Sequence, residues 1–510
     1  MHRLFLAIVW PALAGLVVLA GCMDNTAKVD TAGSPRRKPE PTRETWDVCV
    51  MQGARVGYVH TTVHHKTKAG ETVVRTENVT RLSLNRNGQV ATMETTVASD
   101  ETLQGQLLGF EMEMRVGPAP TRMTGQVHGE RLDIEILGPG ATKAKKESIP
   151  WSADFLGPTG VEQSLARKPM RPGERRTVKM LMPVLDNVAM ADVKLVAQQF
   201  ETTGLRSGPH ELLRINSTTP MGGQTIDTAL WCDRTGDVLK SATGLIEAYR
   251  ATKAEALEEP EVAKLDLLAD MLVKPDRPLP NAHQTKRVRY RVHLDGGDPA
   301  AAFVTGPTQE VKSIDPHTAE ITVYAIRPGR PDGNRNAPKD PPTEDDRRPN
   351  NFIQSDDPSI VADAEKAAGK ETDPWRVAVA LERFVHEEVK NRGFSQAFAS
   401  AAEVAKMREG DCTEHSVFLA ALARARGIPA RVAMGLVYVP QYEAFGYHMW
   451  TEVYIDGRWI PIDGVVAAGG IGAGHLKIAQ STLEGANGFS AFLPVLPLIG
   501  RLKIDVVNAE

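Results

Sequence analysis

Three residues of this chain have the types and order needed to cleave or transfer an acyl group: Cys412, His448 and Asp463. Cys412 follows Asp411 at the start of "GDCTEHSVFLAALARARGIPARV" (410–432), which carries Val417, Leu419, Ala420 and Leu422 on a helical period and ends in Gly427 and Pro429. An N-cap Asp and a terminal Gly-x-Pro predict a helix with Cys412 as its first residue. Unsatisfied N–H groups and the helix dipole favour an anion there, so the thiol is placed to ionise below the usual value of about 8.5. Glu414 opposes this with its own charge.

A thiolate nucleophile needs a proton partner. "YHMWTEVYIDGRWIPID" (447–463) reads as two strands around Asp456-Gly457, the strongest short hairpin signal. A two-residue turn pairs Ile455 with Arg458, Tyr454 with Trp459, Glu452 with Pro461 and Trp450 with Asp463. His448 then falls on the same face as Asp463 and diagonal to it, within side-chain reach. That is the arrangement of a base held by an orienting carboxylate. Trp450, Glu452, Tyr454 and Trp459 share the face, where they line a substrate groove or, for the aromatics nearest the turn, pack against the helix.

Two rival readings concern histidines. His415 makes a Cys-x-x-His pair with Cys412, and with His448 and Asp463 it completes four zinc-ligand types. Structural zinc sites favour several cysteines, and a metal-bound thiolate is not free to attack, so the nucleophile is preferred. His475 ends the glycine-rich run "AAGGIGAGH", which lacks the Lys and following helix of a phosphate loop and reads as surface loop.

The elements that must position these residues begin near 351. Asp357-Pro358 and Asp373-Pro374 are cap-then-proline helix starts. After the second, Val377, Leu381, Phe384, Val385 and Val389 share one face, and another helix spans Ser400 to Arg408. Residues 329–350, rich in Pro and charge with no large apolar side chain, read as a linker. Residues 46–328 alternate in the manner of antiparallel strands, as in Leu132, Ile134 and Ile136, and form one β-rich region or two subdomains. Cys49 and Cys232 fall on separate strands of it, where a disulfide and two buried thiols are both open readings.

The N-terminus places the chain in a cell. Residues 1–22 carry a short basic start, an apolar run from Leu4 to Ala20 and Leu19-Ala20-Gly21-Cys22, an export signal in outline. The last four residues resemble the lipobox of bacterial lipoproteins, which implies cleavage before Cys22 and its lipidation; a retained membrane helix is the alternative. Residues 23–45 suit a flexible tether. With a net charge of −4, 24% charged residues and no basic stripe, nucleic acid is not an expected partner.

"GDCTEHSVFLAALARARGIPARVAMGLVY", "YHMWTEVYIDGRW" and "IPIDG" resemble, in order, three blocks of the transglutaminase-like superfamily across 351–467. The resemblance implies a papain-like transglutaminase-core domain at 351–510, and with the large antiparallel β-rich domain read from the alternation before it the chain is expected to be α+β. It implies Cys412 as nucleophile, His448 as general base and acid, and Asp463 as orienting carboxylate. The Cys412 N–H is the natural oxyanion donor; Gln396 is the candidate for the second, upstream donor. The reaction expected is acyl transfer through a thioester on a protein or peptide substrate, resolved by water (peptidase or amidase) or by an amine (protein cross-linking). No EF-hand loop is present, and neither metal nor cofactor is expected. The expected location is the cell envelope, with a membrane-anchored protein facing the periplasm or exterior. The competing class is a binding or scaffolding lipoprotein that keeps the fold without catalysis.

Overall fold

Alternating apolar residues drive the first half of the chain into strands. A computed structural model describes residues 41–510 except 69, 87–88, 116–119, 139–142, 185–186, 222–223, 262–271, 329–332, 391–398, 485–493 and 496. The signal segment with Cys22, the tether as far as residue 40, and Gln396 lie outside the described residues. The chain divides into two compact units, one up to Asp266 and one from Leu267 to Glu510.

The first unit is a 14-stranded antiparallel sheet in which successive strands pair with one another. Its first strand, Arg43–Met51, also pairs with its last, Ile246–Ala251, so the open edges are Lys145–Pro150 and Arg175–Val184. Helix Gly160–Arg167 lies in the connection between those edges. Leu132, Ile134 and Ile136 are buried on one face, as their alternation requires. Cys49 and Cys232 are buried on strands with two others between them, so no disulfide joins them. Burial pushes the Cys49 thiol well above its ordinary value.

In the second unit, strands β1 (Arg287–Leu294), β2 (Gln309–Asp315) and β3 (Thr318–Tyr324) form a sheet with the chain's last strand, β8 (Leu502–Ala509), in the order β2-β3-β1-β8. This is where sequence and structure part. Pairing of β1 with β8 draws the stretch from 287 to 324 into the C-terminal unit, although its alternation looks continuous with the earlier strands. Residues 333–350 are accordingly strapped to the unit: Trp459 Nε1 donates to the Asp340 carbonyl at 2.8 Å and Arg424 Nη1 to the Arg348 carbonyl at 2.7 Å.

Four helices follow, α1 (Pro358–Ala368), α2 (Pro374–Glu388), α3 (Ala401–Met407) and α4 (Cys412–Ala425). Asp357 and Asp373 cap the first two by accepting N–H groups of Ser359 and Arg376. The second sheet has the order β6-β5-β4-β7, from β4 (Ala430–Val439), β5 (Ala444–Ile455), β6 (Arg458–Ile462) and β7 (His475–Ser481). Helix α4 is buried along its length, with Val417, Phe418, Leu419 and Leu422 inaccessible, each worth about 2 kcal/mol of burial. Among the described residues, no helix is long and apolar enough to cross a membrane.

Candidate active site

Cys412 is the first residue of α4 and is buried. Asp411 caps the helix by accepting the Thr413 N–H at 2.7 Å, and the Glu414 carboxyl returns to accept the Asp411 N–H at 3.0 Å and the Ala399 N–H at 3.0 Å. Burial, with the charge of Asp411, holds Glu414 well above the usual carboxylate range. Its charged form is thereby disfavoured, which weakens the opposition it offers a thiolate.

The hairpin takes the register that its turn predicts. Ile455 pairs with Arg458, Tyr454 with Trp459 and Glu452 with Pro461. Asp456 and Gly457 both have positive φ, 52° and 77°, the backbone of a two-residue turn matched to strand twist. His448 Nε2 lies 2.8 Å from Asp463 Oδ2 just beyond the end of the ladder. Cys412 stands close enough to act on the His448 ring. Burial alone would lower the pKa of His448, but the charge and hydrogen bond of Asp463, with Cys412 adding to them, raise it to about 10. Burial would raise Asp463; His448 and His475 outweigh it and hold that carboxyl well below its ordinary value.

Close approach behind the histidine depends on Gly435, which pairs with His448 on one side. A Cβ there would stand 1.9 Å from the Leu476 carbonyl oxygen of β7. Without a side chain, β4 and β7 close up and bring His475 beside Asp463.

His475 is a correction to the sequence reading. It is not on a surface loop but buried at the head of β7, with Nε2 at 3.1 Å from Asp463 Oδ2. The glycine run before it does cradle an anion, one of the chain's own: Gly469 and Gly470 N–H groups converge on the carboxylate of Glu382 from α2, which also accepts the Asp463 N–H at 2.9 Å. His475 carries no local signal; for Glu382 the hint is a charged residue at a core position of an amphipathic helix.

The remaining sequence candidates have other places. Trp450 is buried, stacked on His448 at 6.3 Å between centroids and edge-on to His475 at 5.2 Å. Glu452 lies in a buried ion network with Arg431 (2.8 Å) and Lys477 (2.6 and 2.7 Å). Trp459 packs under the Arg431 guanidinium at 3.9 Å and bonds the 333–350 segment rather than the helix. His415 bonds the Asp411 carbonyl through Nδ1 at 2.6 Å. Among the described residues, His448, Asp463 and His475 offer ligand atoms within 4.8 Å of one another, the donor set of a cation site; Cys412 and His415 are not in it. In the arrangement present, both imidazoles spend those nitrogens on hydrogen bonds to the carboxylate.

Residues 362–464 match the family model of the transglutaminase-like superfamily. The second unit carries a transglutaminase-like core. That match spans all three residues Cys412, His448 and Asp463 together with α2, α3 and α4. No curated protein sequence matches the chain. Among solved structures the chain is similar to a candidate cysteine protease from Cytophaga hutchinsonii (16% identity, 45% of this chain and 85% of that one, TM-score 0.26). It is also similar to a β-barrel-like protein of a domain of unknown function from Brucella abortus (10%, 41% and 94%, 0.29) and to the periplasmic domain of TgpA from Pseudomonas aeruginosa, bound to ethylmercury (14%, 36% and 91%, 0.22). The assignment of the transglutaminase-like core rests on the family match.

Proposed function

We propose that this protein is a cysteine-dependent acyl-transfer enzyme acting on amide bonds of a protein or peptide. The observation that carries the reading is the His448 ring bonded to Asp463 at 2.8 Å and set beside Cys412 at a helix N-terminus. With Nε2 on Asp463, Nδ1 is the ring nitrogen left to take the thiol proton. The Cys412 thiolate attacks the carbonyl carbon and forms a C–S bond; the C–N bond breaks as His448 gives its proton to the departing amine. Water or an amine then attacks the thioester carbonyl as His448 takes its proton, the C–S bond breaks to release the acyl product, and the thiolate–imidazolium pair is restored. The Cys412 N–H stabilises the oxyanion from the helix end, Gln396 stays the proposed second donor on the sequence resemblance alone, and Trp450 holds the His448 ring in place.

Iodoacetamide labelling of Cys412, read by mass spectrometry against pH, tests this. Fast labelling well below the ~8.5 of an ordinary thiol, lost in His448→Ala, is expected. Labelling that rises only above that value in both proteins would leave a non-catalytic binding or scaffolding module. A water or amine acceptor is then distinguished by the mass of the product formed with and without added amine.

The proposed setting is the cell envelope, with Cys22 lipidated and residues 23 onward outside the cytoplasm. The Leu-Ala-Gly-Cys motif supports it. Incorporation of a labelled fatty acid that disappears in Cys22→Ser is the expected result; incorporation unaffected by that change would reject the anchor.

A further inference from the structure

Asp463 receives two imidazoles on one oxygen. Its Oδ2 lies 2.8 Å from His448 Nε2 and 3.1 Å from His475 Nε2, while Oδ1 accepts N–H groups of Val465 at 2.8 Å and Val466 at 3.4 Å. His475 is buried, and its other ring nitrogen, Nδ1, has no hydrogen-bond partner. A ring with one nitrogen against a carboxylate and the other in apolar surroundings is a neutral imidazole with its proton on Nε2. Burial, the largest influence on His475, agrees by lowering its basicity.

We propose that His475 is a positioning residue of the acyl-transfer site: by donating to the same oxygen as His448, it divides the charge of Asp463 between two rings and limits how tightly His448 holds its proton. The inference rests on the reading of Cys412 and His448 as the catalytic pair. Its chemical reason lies in the double duty of His448, which must keep a proton to stabilise the thiolate and release it to the leaving amine. A carboxylate devoted wholly to His448 would make that ring a poor acid. Each further N–H donor on the oxygen lowers its basicity and returns some acidity to the imidazolium.

The groups around this unit belong to several elements. Helix α4 contributes Cys412 and His415, the latter bonded to its own backbone. Helix α2 contributes Glu382, on the Asp463 N–H, and His386, on the Gly464 and Val465 carbonyls. The segment before β1 contributes His283, edge-on to His475 at 5.8 Å and lowered in basicity chiefly by burial. The described groups around His475 thus offer Asp463 as the one anion to which it is bonded.

The test is the pH profile of Cys412 alkylation by iodoacetamide in the full chain, for wild type, His475→Leu and His475→Gln. Alkylation rises in two steps, the lower on forming the thiolate–imidazolium pair and the upper on losing the imidazolium proton. In His475→Leu the upper step moves to higher pH by roughly half a unit or more. In His475→Gln, whose amide can still donate to Asp463, it stays near wild type. An unshifted upper step in folded His475→Leu overturns this inference alone. A wild type lacking the lower step overturns the catalytic reading, and this inference with it. Should His475→Leu not fold, ¹⁵N spectra of histidine-labelled wild type decide: the Nε2–H tautomer at His475 supports the proposal, and the Nδ1–H tautomer overturns it.

Discussion

Glu382 accepts the backbone N–H of Asp463 at 2.9 Å, so the carboxylate of one helix holds in place the residue that carries the carboxylate of the site. The same side chain accepts the Gly469 and Gly470 N–H groups, tying the loop after β6 to α2 at several points. Glu382→Ala leaves those buried donors unpaired and lowers stability by about 2–4 kcal/mol in denaturant titrations. Burial, with the charge of Asp463 adding, raises the Glu382 carboxyl from 4.5 to about 6. A raised acid contributes fully below its unfolded value and loses that contribution as pH rises through the folded one. The stability gap between wild type and variant therefore narrows from about pH 4.5 to pH 6, by on the order of 2 kcal/mol; a gap that widens over that range refutes the clamp.

Asp463→Asn keeps the shape and removes the charge. His448, raised to about 10 by Asp463 and Cys412 against its burial, loses most of that support. The expected outcome is a fall of about 100-fold or more in acid-side alkylation of Cys412. Because the folded pKa of His448 is raised, its stabilising contribution is full below ~6.5 and disappears as pH rises through about 10. Wild type should show that alkaline loss in thermal melts, and Asp463→Asn should not.

Glu452 is the anion between two buried cations, Arg431 and Lys477. Glu452→Leu strands Lys477 and leaves Arg431 with Asp340 alone, at 2.7 Å, and costs about 3–5 kcal/mol, whereas Lys477→Met keeps the Arg431–Glu452 pair and costs less. Equal losses in the two variants, measured by chemical denaturation, would show that the network does not act as charge compensation.

Gly435→Ala forces a methyl group against the backbone of β7, 1.9 Å from a carbonyl oxygen that cannot swing aside. The two strands must part, with a stability loss of about 2 kcal/mol or more. Cys412 alkylation slows as well, since β7 carries His475 and Gly435 faces His448. Unchanged alkylation would mean that the close approach serves packing alone.

Local chemistry is what the sequence spells out. Asp411 before Cys412, the Asp-Pro pairs, and Asp456-Gly457 each determine their own element, because capping and turn formation involve residues a few positions apart. The hairpin even delivers His448 to Asp463, since strand register follows from the turn. Alternation likewise announces the large antiparallel sheet, and the three blocks around Cys412, His448 and Asp463 point to the transglutaminase-like core.

What the sequence could not show depends on partners distant along the chain. The pairing of β1 with β8 moves the unit boundary from 329–350 back to Asp266, because alternation reveals a strand but not which strand it joins. The placement of His475 and Glu382 follows from the packing of β7 and α2 around one carboxylate, a convergence with no short-range signature. Sequence alone thus determined the helix of Cys412 and the hairpin of His448, while tertiary structure decided what holds Asp463, since hydrogen bonds to a buried charge are supplied by whichever backbone and side chains the whole fold brings to it.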